Sequence, residues 1–184
     1  WYRSLFKTSL RPTHNVNVSG GGENSTYLMS FGDTRDNGNI SAGSNSSVRD
    51  NLRIDLQLNL LKNLKLDLNT AYDYLHITQP SELNDAIDNG LKMFSYLPLR
   101  NPAGNYYGYQ GYENPIQELT KGGNETINDS RWSNNVKLDW EPVKGLVWTG
   151  QIGINLERFD DNANFPTNEE HNWDNSINSL IRNN

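Results

Sequence analysis

The stretch Leu52-Arg53-Ile54-Asp55-Leu56-Gln57-Leu58-Asn59-Leu60, a break at Leu61-Lys62-Asn63, and then Leu64-Lys65-Leu66-Asp67-Leu68-Asn69-Thr70-Ala71-Tyr72-Asp73-Tyr74 decides the fold. Apolar and polar residues alternate on both sides of the break. A period of two over two runs of about ten residues predicts a β-hairpin with one oily and one wet face. Strands of soluble proteins usually run about five or six residues, whereas membrane-spanning strands need about nine to eleven. Strand length and one-sided charge together predict the wall of an antiparallel transmembrane β-barrel, an all-β fold.

Working outward, His14 to Gly20 sets Val16 and Val18 against Asn15, Asn17 and Ser19. Gly20-Gly21-Gly22-Glu23-Asn24 reads as a turn, because glycine accepts the positive φ of tight reversals. Thr26 to Gly32 returns with Tyr27, Met29 and Phe31 on one face. Further on, Trp132, Val136, Leu138 and Trp140 alternate with Asn135, Lys137 and Asp139. After the turn at 141–145, Leu146, Trp148, Ile152, Ile154 and Leu156 share a face opposite Gln151, Asn155 and Glu157. The expected hairpins are therefore 14–32, 52–74 and 132–159, all within one barrel domain. Polar segments 33–50, 76–130 and 160–184 are expected as long loops, the second holding a short helix around Glu82 to Phe94.

Short connections at one end and long ones at the other are what a transmembrane barrel requires, with short periplasmic turns and long extracellular loops. A globular domain rarely carries structureless connections longer than about fifteen residues. Aromatic placement agrees. Trp132 and Trp140 lie eight residues apart on the apolar face, roughly 20 Å along the membrane normal for a tilted strand. Trp148, Tyr72 and Tyr74 fit the same two interfacial girdles, although aromatic residues also favour strands for ordinary packing reasons.

Composition narrows the classes. The chain has 184 residues, 34% of them hydrophobic, with a mean hydropathy of −0.79. That is low for a buried core and ordinary for a barrel with a polar lumen. No run of about twenty apolar residues is present for a transmembrane helix. The net charge of −6 and the absence of a basic stripe argue against nucleic-acid binding. Cysteine is absent, which removes disulfides and thiol chemistry. Trp1 opens the chain without an initiator methionine or a leader, and residues 176–184 stop in polar sequence, so the chain reads as an interior fragment.

Candidate sites are few. Asp33, Asn37, Gly38 and Ile40 match part of a calcium-loop pattern, but Arg35 and Ser44 stand where ligands are needed, so a polar loop tip is the better reading. Asp160 with Asp161 and Glu169 with Glu170 read as solvated surface. His14, His76 and His171 have no ligand spacing, and no metal site or cofactor is expected. No nucleophile stands in a recognisable catalytic context, so an enzyme is not expected. Arg53, Asp55, Lys65, Asp67, Lys137 and Asp139 should face the lumen as a cross-strand charge lattice. In the loop Asn101 to Tyr112, Tyr106, Tyr107, Tyr109 and Tyr112 offer rings and hydroxyls to a sugar or peptide, or else pack on one another.

Several segments, taken as a set, resemble the SusC family of TonB-linked outer-membrane nutrient transporters of Bacteroidota. His14-Asn15-Val16-Asn17-Val18-Ser19-Gly20-Gly21 with Ser25-Thr26-Tyr27-Leu28-Met29-Ser30-Phe31-Gly32 looks like the family's hairpin, and Asp36-Asn37-Gly38 stands at its end. Asp33 departs from the usual aromatic. Trp1 to Thr8, Asn51 to Leu56, the turn at 61–64 and Trp140-Glu141-Pro142 are similar to flanking family segments. The resemblance implies about six strands of a 22-stranded barrel with an N-terminal plug, in the outer membrane of a Gram-negative bacterium. It also implies a SusD-like surface lipoprotein, energisation through TonB, contact with membrane lipid, and import of small glycans or peptides. The competing expectation is a soluble, secreted all-β ligand-binding module, which would bury Ile54, Leu56, Leu66 and Leu68 against protein.

Overall fold

The computed structural model describes residues 2–109 and 111–181. Trp1, Gln110 and residues 182–184, on which the readings of the first segment, the tyrosine loop and the tail partly fall, lie outside them.

Six strands, β1 (Thr13–Gly21), β2 (Ser25–Asp36), β3 (Ser46–Leu61), β4 (Leu64–Pro80), β5 (Asn124–Val143) and β6 (Leu146–Ala163), form an antiparallel meander in chain order. The sheet is open: among the described residues β1 and β6 each leave one edge unpaired. Register rows carry the sequence pattern directly into faces. Val16, Phe31, Leu52, Tyr72, Trp132 and Leu156 are successive cross-strand partners, as are Gly20, Tyr27, Leu56, Leu68, Val136 and Ile152. Because side chains alternate along each strand, the polar residues between them share the other face.

The strands outrun the amphipathic stretches. Segments 33–50, 76–130 and 160–184 are expected as loops without strands, yet Asp33 pairs with Asp50, Thr78 with Ser46, Asn124 with Pro80, and Glu125 with Ala163. Beyond Phe31 and Tyr72 apolar and polar residues no longer separate by face, with Leu75, Ile77 and Ile127 falling on the charged side, so the period-two signal fades. The backbone ladder persists because hydrogen bonding between strands needs no side-chain pattern. The remaining connections are 37–45 and 81–123 at one end of the sheet, and 22–24, 62–63 and 144–145 at the other. Gly145, at φ 88°, supplies the left-handed residue of the third turn. Pro142 falls in the irregularity between Trp140 and Val143, where no ladder donor is needed.

Stagger fixes the tilt. From the row through Tyr27, Leu56 and Val136, the short turns lie about three and a half, six and eight residues away, roughly one residue of offset per strand. Setting the three turns at one level demands a strand tilt of about 38°, within the range for barrel walls.

Among the described residues the helices lie outside the six-stranded sheet: α1 (Tyr2–Leu5) before β1, and α2 (Leu83–Lys92) and α3 (Pro115–Lys121) between β4 and β5. A short hairpin, β7 (Asn168–His171) and β8 (Ile177–Ile181), follows β6. Leu5, Ile40, Ala86 and Leu119 form a buried core, flanked by Phe6, Ala42, Leu83, Ile87 and Ile116. All of these lie in the long connections and the residues before β1. Gly90 permits that packing, since a Cβ there would collide with the Leu5 side chain.

Candidate functional site

Among the described residues, nothing covers the apolar face of the sheet. Trp132, Val136, Trp140, Trp148, Ile152, Ile154 and Leu156 are all exposed, and Ile54, Leu56, Leu66 and Leu68 are half-buried only by their neighbours on the same face. Contiguous exposed apolar patches this broad mark contact with a membrane or another protein. Tyr72 and Trp132 are cross-strand partners at one edge of the band, and Trp140 and Trp148 at the other. Eight residues at a 38° tilt separate the two edges by about 21 Å. Trp132 Nε1 donates to Thr70 Oγ1 at 2.9 Å, so its polar atom is satisfied within the band. Tyr74 stands one row further out, beside Asp50 and Ser130, with its hydroxyl donating to Asn128 at 3.1 Å.

On the opposite face the six charged residues form a lattice of a different weave from the one expected. The ion pairs close along strands, two residues apart: Arg53 with Asp55 at 2.8 Å, Lys65 with Asp67 at 3.3 Å, and Lys137 with Asp139 at 2.8 Å. Across strands, Lys65 stands opposite Asp139 and Asp67 opposite Lys137, so no two like charges of these six stand directly opposite. Around these six residues amides and hydroxyls make the direct cross-strand bonds, whereas nearer the cap Arg49 reaches Asp73 at 2.9 Å and Arg131 reaches Glu157 at 3.2 Å across strands. Asn69 donates to Asp55 at 2.8 Å, Gln151 to Asn135 at 2.8 Å, and Thr149 to Asp139 at 2.6 Å. A long basic side chain reaches the next position on its own strand's polar face as readily as its neighbour's, and the amides fill the gaps. An open hollow of about 480 Å³ lies here, bordered by Tyr27, Asp55, Gln57, Lys65 and Lys137.

The long connections build a cap at the end of the sheet opposite the short turns. Asn114 starts α3: its Oδ1 accepts from the backbone of Ile116 at 3.1 Å, and its Nδ2 donates to Leu99 O and Tyr107 O. Asn114-Pro115 followed by Gln117 is the local signal for this helix, an N-cap with proline at the first helical position. It lies within the 76–130 segment, where a helix is expected only around Glu82 to Phe94. Gln117 and Glu118 are each only 4% exposed. Burial pushes the Glu118 carboxyl up to about 9; Asn89, donating at 2.7 Å, opposes the shift, while Glu113 and Asp85 reinforce it. Burial likewise raises Glu82 to about 7, helped by Asp85 and Glu113, and raises Glu113.

The four tyrosines do not act as one surface. Tyr107 and Tyr109 are tilted against each other at 6.3 Å. Tyr107 meets Trp173 edge-on at 5.6 Å, and Tyr109 meets Phe94, which stacks on Tyr96 at 5.5 Å. Tyr106 instead lies under Arg100, whose guanidinium carbon is 4.1 Å from the ring centre. Tyr112 pairs through its backbone with Tyr109. Phe94, Tyr96 and Trp173 were not foreseen, since they come from separate stretches without a repeat to link them. At the neighbouring loop, Asp33 lies in β2 and pairs with Arg35 at 3.2 Å, and Asp36 accepts from the Gly38 amide.

Neither a protein-family model nor a curated protein matches the chain. Its fold is similar to part of a chain in the structure of the RagAB peptide transporter, with a TM-score of 0.63 at 17% identity, covering 88% of this chain. The chain spans 19% of that one's length.

Proposed function

We propose that the chain is a segment of the barrel wall of a SusC-like, TonB-dependent outer-membrane transporter that imports peptides or oligosaccharides without covalent chemistry. The observation that carries this reading is the uncovered apolar band, edged by Tyr72 and Trp132 on one side and Trp140 and Trp148 on the other. Water penalises such a face, whereas lipid matches it, and interfacial aromatics belong at its rims. The charged face then lines the lumen, and the loop cap lies outside the cell. The structural likeness to part of a peptide transporter supports the architecture. A SusD-like lipoprotein over the cap and energisation through TonB complete the proposal.

Fractionation of the native source tests it. A barrel wall belongs in the outer-membrane fraction, is released by detergent alone, and migrates differently on a denaturing gel before and after boiling. Recovery as a soluble monomer, with the band buried against protein, would refute membrane insertion.

A further inference from the structure

A second concavity, of about 420 Å³, lies in the cap between the tyrosine loop, the end of α3 and β7. Arg100, Tyr106, Gln117, Lys121, Glu169 and His171 line it. Its basic groups are poised. Arg100 is held by the Tyr106 ring and by Nη1 donating to Gly104 O at 2.7 Å, which leaves its remaining N–H groups available. Tyr106 is itself tied to Thr120 at 3.3 Å. Among the described residues, neither Arg100 nor Lys121 has a carboxylate within 4.0 Å, although Glu169 borders the same space.

Gln117 provides the independent observation. Its Nε2 donates to Glu169 O at 2.8 Å, and its buried Oε1 has no donor among the described residues. A buried acceptor left unpaired is unfavourable, and a small turn of the side chain toward the hollow it borders lets a ligand's donor remove that cost. Two unpaired cations and an unpaired acceptor ask for a carboxylate accompanied by an N–H or O–H.

We propose that this pocket binds the carboxylate end of a small solute, with Arg100 and Lys121 holding the anion and Gln117 accepting from the adjacent donor. A peptide C-terminus and a uronic-acid sugar share that chemistry. The link to import rests on the transporter reading; the pocket's own chemistry does not.

Titration calorimetry on the full-length parent protein in detergent tests it, using trialanine, trialanine amide and tri-galacturonic acid as probes. Binding of trialanine or of the acidic trisaccharide is expected, with the amide at least about tenfold weaker than trialanine. Whichever carboxylate binds identifies the source. Arg100→Gln and Lys121→Gln, both at exposed positions, should each weaken that probe by about tenfold or more. Gln117→Leu should also weaken it, with far-ultraviolet circular dichroism confirming an intact sheet. Equal affinity for acid and amide, variants without effect, or no binding of either carboxylate would overturn the assignment. Carboxylate binding by a protein that fractionates as soluble would uphold the pocket while refuting the transporter.

Discussion

The sheet and the cap of this molecule are held together by opposite means. Among the described residues the sheet has long ladders, an uncovered apolar face and no buried core of its own. The cap has short helices around a conventional core of Leu5, Ile40, Ala86 and Leu119. In water the first arrangement is unfavourable and the second is ordinary. The difference teaches what the proposed membrane reading requires of one chain: backbone bonding and lipid would secure the sheet, while hydrophobic burial secures the cap.

The largest expected effect separates the two regions at once. Leu119→Ala should remove about 2–5 kcal/mol from the cap. Hydrogen exchange should then rise across α2 and α3 while β3–β6 stay protected. Equal loosening of the sheet would mean that the two regions are one cooperative unit. Next, Val136→Arg, at the middle of the apolar band, should cost about 2–4 kcal/mol for a barrel folded in lipid. Its neighbour on the polar face, Asn135→Arg, should be nearly silent. Folding titrations in vesicles measure both, and equal costs would erase the distinction between faces.

A pH series sharpens the contrast further. Burial holds Glu118 and Glu82 above the ordinary carboxylate range, at about 9 and about 7. These groups keep their protons in the closed cap and lose them when it opens. Cap stability is therefore fully present below about pH 4.5 and falls as pH rises through 7 and toward 9. Exchange of α3 amides, corrected for intrinsic rate, should accelerate over that window, and Glu118→Gln should flatten its upper part. A cap that tightens with rising pH would contradict the burial argument. The smallest effect belongs to the polar face. Arg53→Gln breaks an exposed ion pair and should change stability by about 0.5 kcal/mol or less in thermal melts.

Legibility followed the same division. Where a strand has one apolar and one polar side, as at Leu52 to Leu60, the residues announce both the element and its faces. At Ser46 to Asp50 and Asn124 to Ser130 a single apolar residue, Val48 or Ile127, stands among polar ones, and only the pairing partner reveals a strand. The cap was harder still. The helix expected around Glu82 to Phe94 corresponds to α2, but α3 hid behind a single capping signal. The pocket of Arg100, Gln117 and His171 draws on segments up to seventy-one residues apart in sequence. Spacing rules do not reach that far. The charged face was legible in membership but not in wiring, because i,i+2 pairing along a strand competes with pairing across it.

Depth-resolved tryptophan quenching addresses the central claim most directly. In the parent barrel reconstituted with lipids brominated at defined depths, variants retaining only Trp132, or only Trp140 and Trp148, are compared. Lipid exposure predicts strong quenching of both sets by shallow bromines, weak quenching by central ones, and location in opposite leaflets about 21 Å apart. Absence of quenching, or both sets at one depth, would contradict a membrane-spanning band.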